Sequence, residues 1–152
     1  MARERATDGE KKPMRNVIVF AIGRNLYALE LRWVHEVVSL PYVTRVPTAP
    51  AGVLGAVNVR GAIVPVIDVE VLGGAPAPGR PARPGDGAIL LEVDDAPCAF
   101  RIDNVEEVTT LHGERRGRLT DGRGRDIAIV DPEEVVRRVA AEPPGRGGPR
   151  AG

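Results

Sequence analysis

The sequence predicts an all-β protein built as two similar halves, with one short C-terminal helix. Three observations carry that prediction. With 18 Gly and 14 Pro among 152 residues, the chain is punctuated too often for long helices and suits many short strands. Aromatic residues make up only 3%, so the core has to be assembled from Val, Ile, Leu and Ala. The order strand, turn, strand, strand over residues 17–40 is repeated over 88–111, a weak internal duplication.

Residues 1–15 mix both charge signs with few large apolar side chains and are expected to form a mobile tail. Order begins at Asn16. Val17, Val19 and Ala21 alternate with Ile18, Phe20 and Ile22, a strand apolar on both faces, and Gly23-Arg24-Asn25 turns it. The return strand, Leu26 to Leu31, puts Tyr27, Leu29 and Leu31 on one face. The next stretch, RWVHEVVSL, fits either a helical stripe or a strand. Pro41 closes it before an isolated helix would be stable, which favours a turn at Leu31-Arg32-Trp33 and a strand from Val34 to Leu40.

After a loop over 42–50 comes the stretch on which the chain leans, PTAPAGVLGAVNVRGAIVPVIDVEVL. It reads as a strand ending near Val59, a reversal at Arg60-Gly61 that pushes Arg60 out at the tip, and a second strand from Ala62 to Asp68. Pro65 donates no ladder hydrogen bond, so it marks an edge or a bulge. Arms this apolar need cover on both faces.

Residues 73–87, rich in Gly, Pro, Ala and Arg, are expected to form a linker or loop between a first subdomain at 16–72 and a second at 88–141. In the second, strands run over 88–93, 96–102 and 104–111, with Asp94-Asp95 as the turn between the first two. Residues 112–125 are polar, Gly-rich and basic, with a turn at Asp121-Gly122, and 127–130 form a short strand. Asp131-Pro132-Glu133-Glu134 supplies an N-cap acceptor, a proline at the first helical position and acid at the positive end of the macrodipole, which predicts a helix from Pro132 to about Ala141. Residues 142–152 are expected to be a disordered tail.

Lys+Arg and Asp+Glu are both 21, which argues against a partner held mainly by phosphate charge. The single cysteine, Cys98, excludes an intrachain disulfide and fits a reducing compartment as a small buried hydrophobe. The charged N-terminal stretch has no apolar block behind it, and no apolar run reaches the ~18 residues of a span, so neither a signal peptide nor direct membrane insertion is expected.

Catalysis finds little support. Ser39 is the only serine and lacks a nucleophile elbow, nothing in the sequence places Cys98 beside His35 or His112, and two histidines with one cysteine make a poor zinc set. No enzyme activity, metal or cofactor is expected. A β-barrel that binds nucleic acid through Arg115, Arg116, Arg118, Arg123 and Arg125 is an alternative of another class, weakened by the absence of interleaved aromatics.

Three motifs resemble a known family. The hairpin F-x-h-G-x-x-x-Y (Phe20 to Tyr27), the V-x-E-V strand (Val34 to Val37) and the block G-x-x-N-h-R-G-x-h-h-P-h-h-D (Gly55 to Asp68) are similar to the first half of CheW, the coupling protein of bacterial chemotaxis arrays. The second half matches more loosely. The resemblance implies two small SH3-like five-stranded β-barrels packed on a shared core. It also implies a non-catalytic cytoplasmic adaptor at receptor arrays, whose partners are the cytoplasmic domain of methyl-accepting chemoreceptors, the regulatory domain of a CheA-type histidine kinase and other CheW-like proteins.

Carried over by position, the receptor-binding set is Val34, Glu36, Arg60, Ile102 and Val105, with Asn58 and Gly61 from the same block, while Gly55, Pro65 and Asp68 are structural. Arg60, with five fixed donors at a hairpin tip, is expected to pair with Glu36. Relatives carry a longer segment where this chain has only GERRGRLTDGRGRD. Hence the second barrel is expected to be truncated, with one strand missing or much reduced, and kinase binding weakened or lost. An ordinary CheW that joins both partners is the alternative.

Overall fold

Backbone pairing sorts the strands into two sheets that cut across the two halves of the sequence. A computed structural model describes residues 14–73, 80–113 and 117–143. Along the chain, β1 (Met14–Ile22) and β2 (Asn25–Glu30) form a hairpin, followed by a 3₁₀ turn at Leu31–Trp33. Then come β3 (Glu36–Ser39), β4 (Val43–Thr44), β5 (Val53–Val59) and β6 (Ala62–Ile67), with a second 3₁₀ turn at Val69–Gly73. β7 (Gly87–Val93), β8 (Ala96–Ile102), β9 (Asn104–His112), β10 (Gly117–Thr120) and β11 (Asp126–Ile129) precede helix α1 (Pro132–Ala141). The predicted strands and the helix are present. The ambiguous stretch after Leu31 is a turn and a strand, the strand starting at Glu36 rather than Val34.

The chain divides into two compact units, Met1–Arg32 with Asn104–Asp131, and Trp33–Asp103 with Pro132–Gly152. In the first unit the sheet order is β10-β11-β2-β1-β9. β1 pairs antiparallel with both β2 and β9, and β11 joins β2 in parallel. Every residue of β1 from Val17 to Ile22 is buried, as an apolar strand without alternation requires. Val17, Val19, Ala28, Ile127 and Ile129 form the core, and Phe20 stacks on its cross-strand partner Tyr27 with ring centroids 5.6 Å apart.

The second unit carries the order β3-β7-β8-β6-β5-β4 around a core that includes Leu54, Val57, Val64, Val66, Leu90 and Ala99. Helix α1 belongs here. It packs on the 3₁₀ turn at Val69–Gly73, and a side chain on Gly52 would meet Val139 Cγ2 at 2.9 Å and Val71 Cγ1 at 3.0 Å.

These units correct the expected division at residues 73–87. β3 pairs with β7, and β6 with β8, so the strands on both sides of that segment lie in one sheet. Residues 74–79 lie outside the described residues, and the remainder packs against the sheet. Ala82 is buried in the core and its N–H donates to Leu54 O at 3.0 Å, while Arg80 binds Asp86 through two nitrogens at 2.8 and 2.9 Å. A low-hydrophobicity stretch is therefore held by backbone pairing and one ion pair, neither of which composition reveals. The expected tails at 1–15 and 142–152 fall mostly outside the described residues.

The segment expected to have one strand missing or much reduced carries a short one. β10 has four residues, pairing Gly117 with Ile129 through to Thr120 with Asp126. β9 and β10 are the two ends of this sheet's order, and side chains bring them together. Glu107 of β9 accepts from Arg123 at 3.3 Å and from Arg125, both in the turn that follows β10.

Candidate functional site

The tip of the β5–β6 hairpin is built by local conformation. After Val59 pairs with Ala62, the two central residues Arg60 and Gly61 take φ of 50° and 89°. Positive φ at both positions is what a two-residue hairpin of the primed type needs. Asn58 Oδ1 accepts from the Gly61 N–H at 3.0 Å, so Asn58 closes the turn with its own side chain. Holding an arginine left-handed costs about 1–2 kcal/mol, a cost that glycine at the same place escapes.

From this tip, Arg60 Nη2 donates to both oxygens of Glu36, at 2.8 and 3.1 Å. Glu36 opens edge strand β3, opposite Leu90 of β7, so the pair joins a sheet edge to a hairpin tip. Its side chains are 70% and 41% exposed, and such a pair contributes only ~0.2–1 kcal/mol. Orientation of the guanidinium is the larger effect. One nitrogen serves both oxygens, and Nε and Nη1 have no partner among the described residues.

Beneath the pair the sheet opens. β6 pairs with β8 only at Val66 and Ile67, so Ala62 to Pro65 have no ladder on that side. Pro65 falls where no donor is needed, an edge position inside an interior strand. The gap is a cavity of about 150 Å³ whose lining includes His35, Glu36, Arg60, Val64, Leu90 and Cys98. His35 and Cys98 both line this cavity, which the sequence did not indicate. They do not form a nucleophile pair. No hydrogen bond joins them, and burial pushes the Cys98 thiol up to about 12, leaving almost no thiolate at neutral pH.

The remaining positions divide. Val34 is half-buried just before β3, and Gly61 and Asn58 are exposed at the tip. Ile102 is 3% exposed and presents no surface to a partner, which corrects its place in the receptor-binding set; Val105 is exposed on β9, in the other unit. Gly55 sits at a register shift in β5 with φ of 147°, where a Cβ would lie 2.5 Å from Val43 Cγ1. Asp68 is buried, with Oδ1 accepting from the Glu70 N–H at 2.9 Å at the start of the 3₁₀ turn.

Sequence reasoning missed two things. Arg101 is buried and donates to Arg80 O, its pKa pulled down by burial and by neighbouring Arg80. The cavity itself was also missed, and Pro65 is the one residue whose chemistry hints at a broken ladder.

The basic segment is neutralised where it is described. Arg118 pairs with Asp126 at 2.9 Å, Arg123 with Glu107, and Arg125 with Glu107 and Asp121; Arg115 and Arg116 lie outside the described residues. Guanidinium groups already matched to carboxylates make a weak phosphate-binding surface. Among the described residues no group of three or more His, Cys, Asp or Glu is placed to hold a metal, and no helix is long and apolar enough to cross a membrane.

Comparison with known proteins agrees with the motifs. The chain is 30% identical over 129 residues to the chemotaxis protein CheW of Treponema pallidum, covering 83% of this chain and 68% of that one. It is 29% identical over 97 residues to the CheW of Rhizobium meliloti, 64% of this chain and 61% of that one. The chain thus matches less than two thirds of the Rhizobium protein's length. The crystal structure of the scaffolding protein TtCheW from Thermoanaerobacter tengcongensis superposes with a TM-score of 0.62 at 25% identity, covering 78% of this chain and 90% of that one. The profile of the CheW-like domain matches residues 16–140, and the chain belongs to that family.

Proposed function

We propose that this protein is a non-catalytic adaptor of a bacterial chemosensory pathway that binds the cytoplasmic tip of a chemoreceptor through the Arg60 hairpin. The observation that carries the reading is an exposed arginine, held in a costly backbone conformation and oriented by Glu36, with two nitrogens that have no partner among the described residues. Strain of this kind persists where the surroundings over-determine it, and it clusters at binding sites. Asn58 and Gly61 flank the arginine at the hairpin tip, and Val34 precedes its partner Glu36 by two residues.

Coupling to a CheA-type kinase is reduced in this proposal. The support is the shortness of β10 and β11, four residues each, and the side-chain rather than backbone link from β9 to the turn after β10. The test is a paired binding assay against the cytoplasmic hairpin of the cognate receptor and the regulatory domain of the cognate kinase. Receptor binding without kinase binding supports a one-sided adaptor. Equal binding of both identifies an ordinary coupling protein, and binding of neither refutes the adaptor reading.

A further inference from the structure

We propose that the cavity beneath the Arg60–Glu36 pair is a socket for a single aliphatic side chain of the receptor segment, whose neighbouring neutral oxygen is bound by Arg60. This rests on the receptor-binding reading above and names what that surface recognises.

Size selects the occupant. About 150 Å³ equals in volume a cavity that admits benzene, room for one side chain and not for a helix. The opening lies where the ladder stops, since β6 from Ala62 to Pro65 has no partner on β8. Val64, Leu90 and Cys98 make an apolar interior. Burial keeps the thiol neutral, and it adds no charge there.

The lip decides the polar half. Among the lining residues the carboxylates of Glu36 and Glu92 stand with the guanidinium of Arg60 and the imidazole of His35. Two carboxylates beside one cation disfavour an incoming anion, so the groups that suit Arg60 Nε and Nη1 are amide or hydroxyl oxygens. A helical partner would present the aliphatic side chain and such an acceptor three or four residues apart, on one face.

The first arm of the test adds benzene to the protein with labelled methyl groups. Shifts confined to the methyl groups that line the cavity, those of Val59, Ala62, Val64, Leu90 and Leu91, are expected, and their absence overturns the socket. The second arm fills the space with Cys98→Leu and, at the exposed mouth, Ala62→Leu, and compares both with Arg60→Ala for binding to the cognate receptor's cytoplasmic hairpin. Tenfold or greater losses in the filled variants, with melting curves preserved, are expected. Full affinity in the filled variants beside a weakened Arg60→Ala overturns the socket and leaves the receptor-binding reading standing. Unchanged affinity in Arg60→Ala overturns both. If Cys98→Leu fails to fold, Ala62→Leu decides, because its side chain enters from solvent.

Discussion

Glu36 and Arg60, 24 residues apart in sequence, meet through one guanidinium nitrogen that binds both carboxylate oxygens. A side-on fork would use two nitrogens and satisfy more of the arginine. The observed arrangement holds the side chain in place and leaves donors for a partner.

Stability and binding should therefore separate at Arg60. Asparagine tolerates a left-handed conformation better than most residues, and the exposed ion pair is worth at most ~1 kcal/mol. Arg60→Asn should leave the denaturation midpoint nearly unchanged while reducing affinity for the receptor hairpin at least tenfold. A variant that unfolds easily, or that binds normally, contradicts this.

Close approach of α1 depends on Gly52. A methyl group there meets Val139 and Val71 at 2.9 and 3.0 Å. Gly52→Ala should cost about 1–3 kcal/mol by overpacking, read from urea unfolding. Val139→Ala in the same chain should recover part of that loss; no recovery would place the cause elsewhere.

Acid should loosen the clasp that Asp86 makes within the 80–86 segment, where its carboxylate accepts from Arg80 and from the Arg83 N–H. Burial alone would raise the pKa of Asp86, but hydrogen bonds from Arg80 and from the Arg83 N–H outweigh it and hold the carboxyl below its ordinary 3.8. A depressed folded pKa contributes stability that is complete above 3.8 and is lost as pH falls through the lower folded value. Asp86→Asn should cost about 1.5–3 kcal/mol near neutral pH, and the gap to the parent should narrow below about pH 4. Urea melts at two pH values measure it, and a gap of constant size would falsify the assignment.

Cys98 should resist modification. With its thiol pushed up to about 12, the thiolate fraction at pH 8 is on the order of 10⁻⁴. Ellman's reagent should react only as fast as the protein opens, and adding urea should raise the rate steeply. Rapid labelling of the native protein would show the thiol to be exposed.

Much of the fold was legible locally. The hairpin at Arg60-Gly61, the turn at Asp94-Asp95 and the start of α1 at Pro132 are set by residues within a few positions of one another, through φ preference, proline geometry and capping. The pair Glu36–Arg60 was legible only with the family motif beside the hairpin signal. β10 was hidden because Leu119 is its single large apolar residue, and its pairing with β11 depends on a turn held by Asp121, whose Oδ1 accepts from the Arg123 and Arg125 N–H groups at 2.9 Å.

The sequence by itself determined the strand-rich class, the principal hairpins, the helix and the exposed arginine, because each follows from interactions between near neighbours in the chain. Only the tertiary structure decided which strands share a sheet, that residues 80–87 pack rather than link, that Ile102 is buried and that His35 and Cys98 face one cavity. Those outcomes depend on pairing between strands distant in sequence, β3 with β7, β6 with β8 and β2 with β11. Period-two patterning shows that a strand has a face to bury, and many partners satisfy it equally until the whole core is assembled.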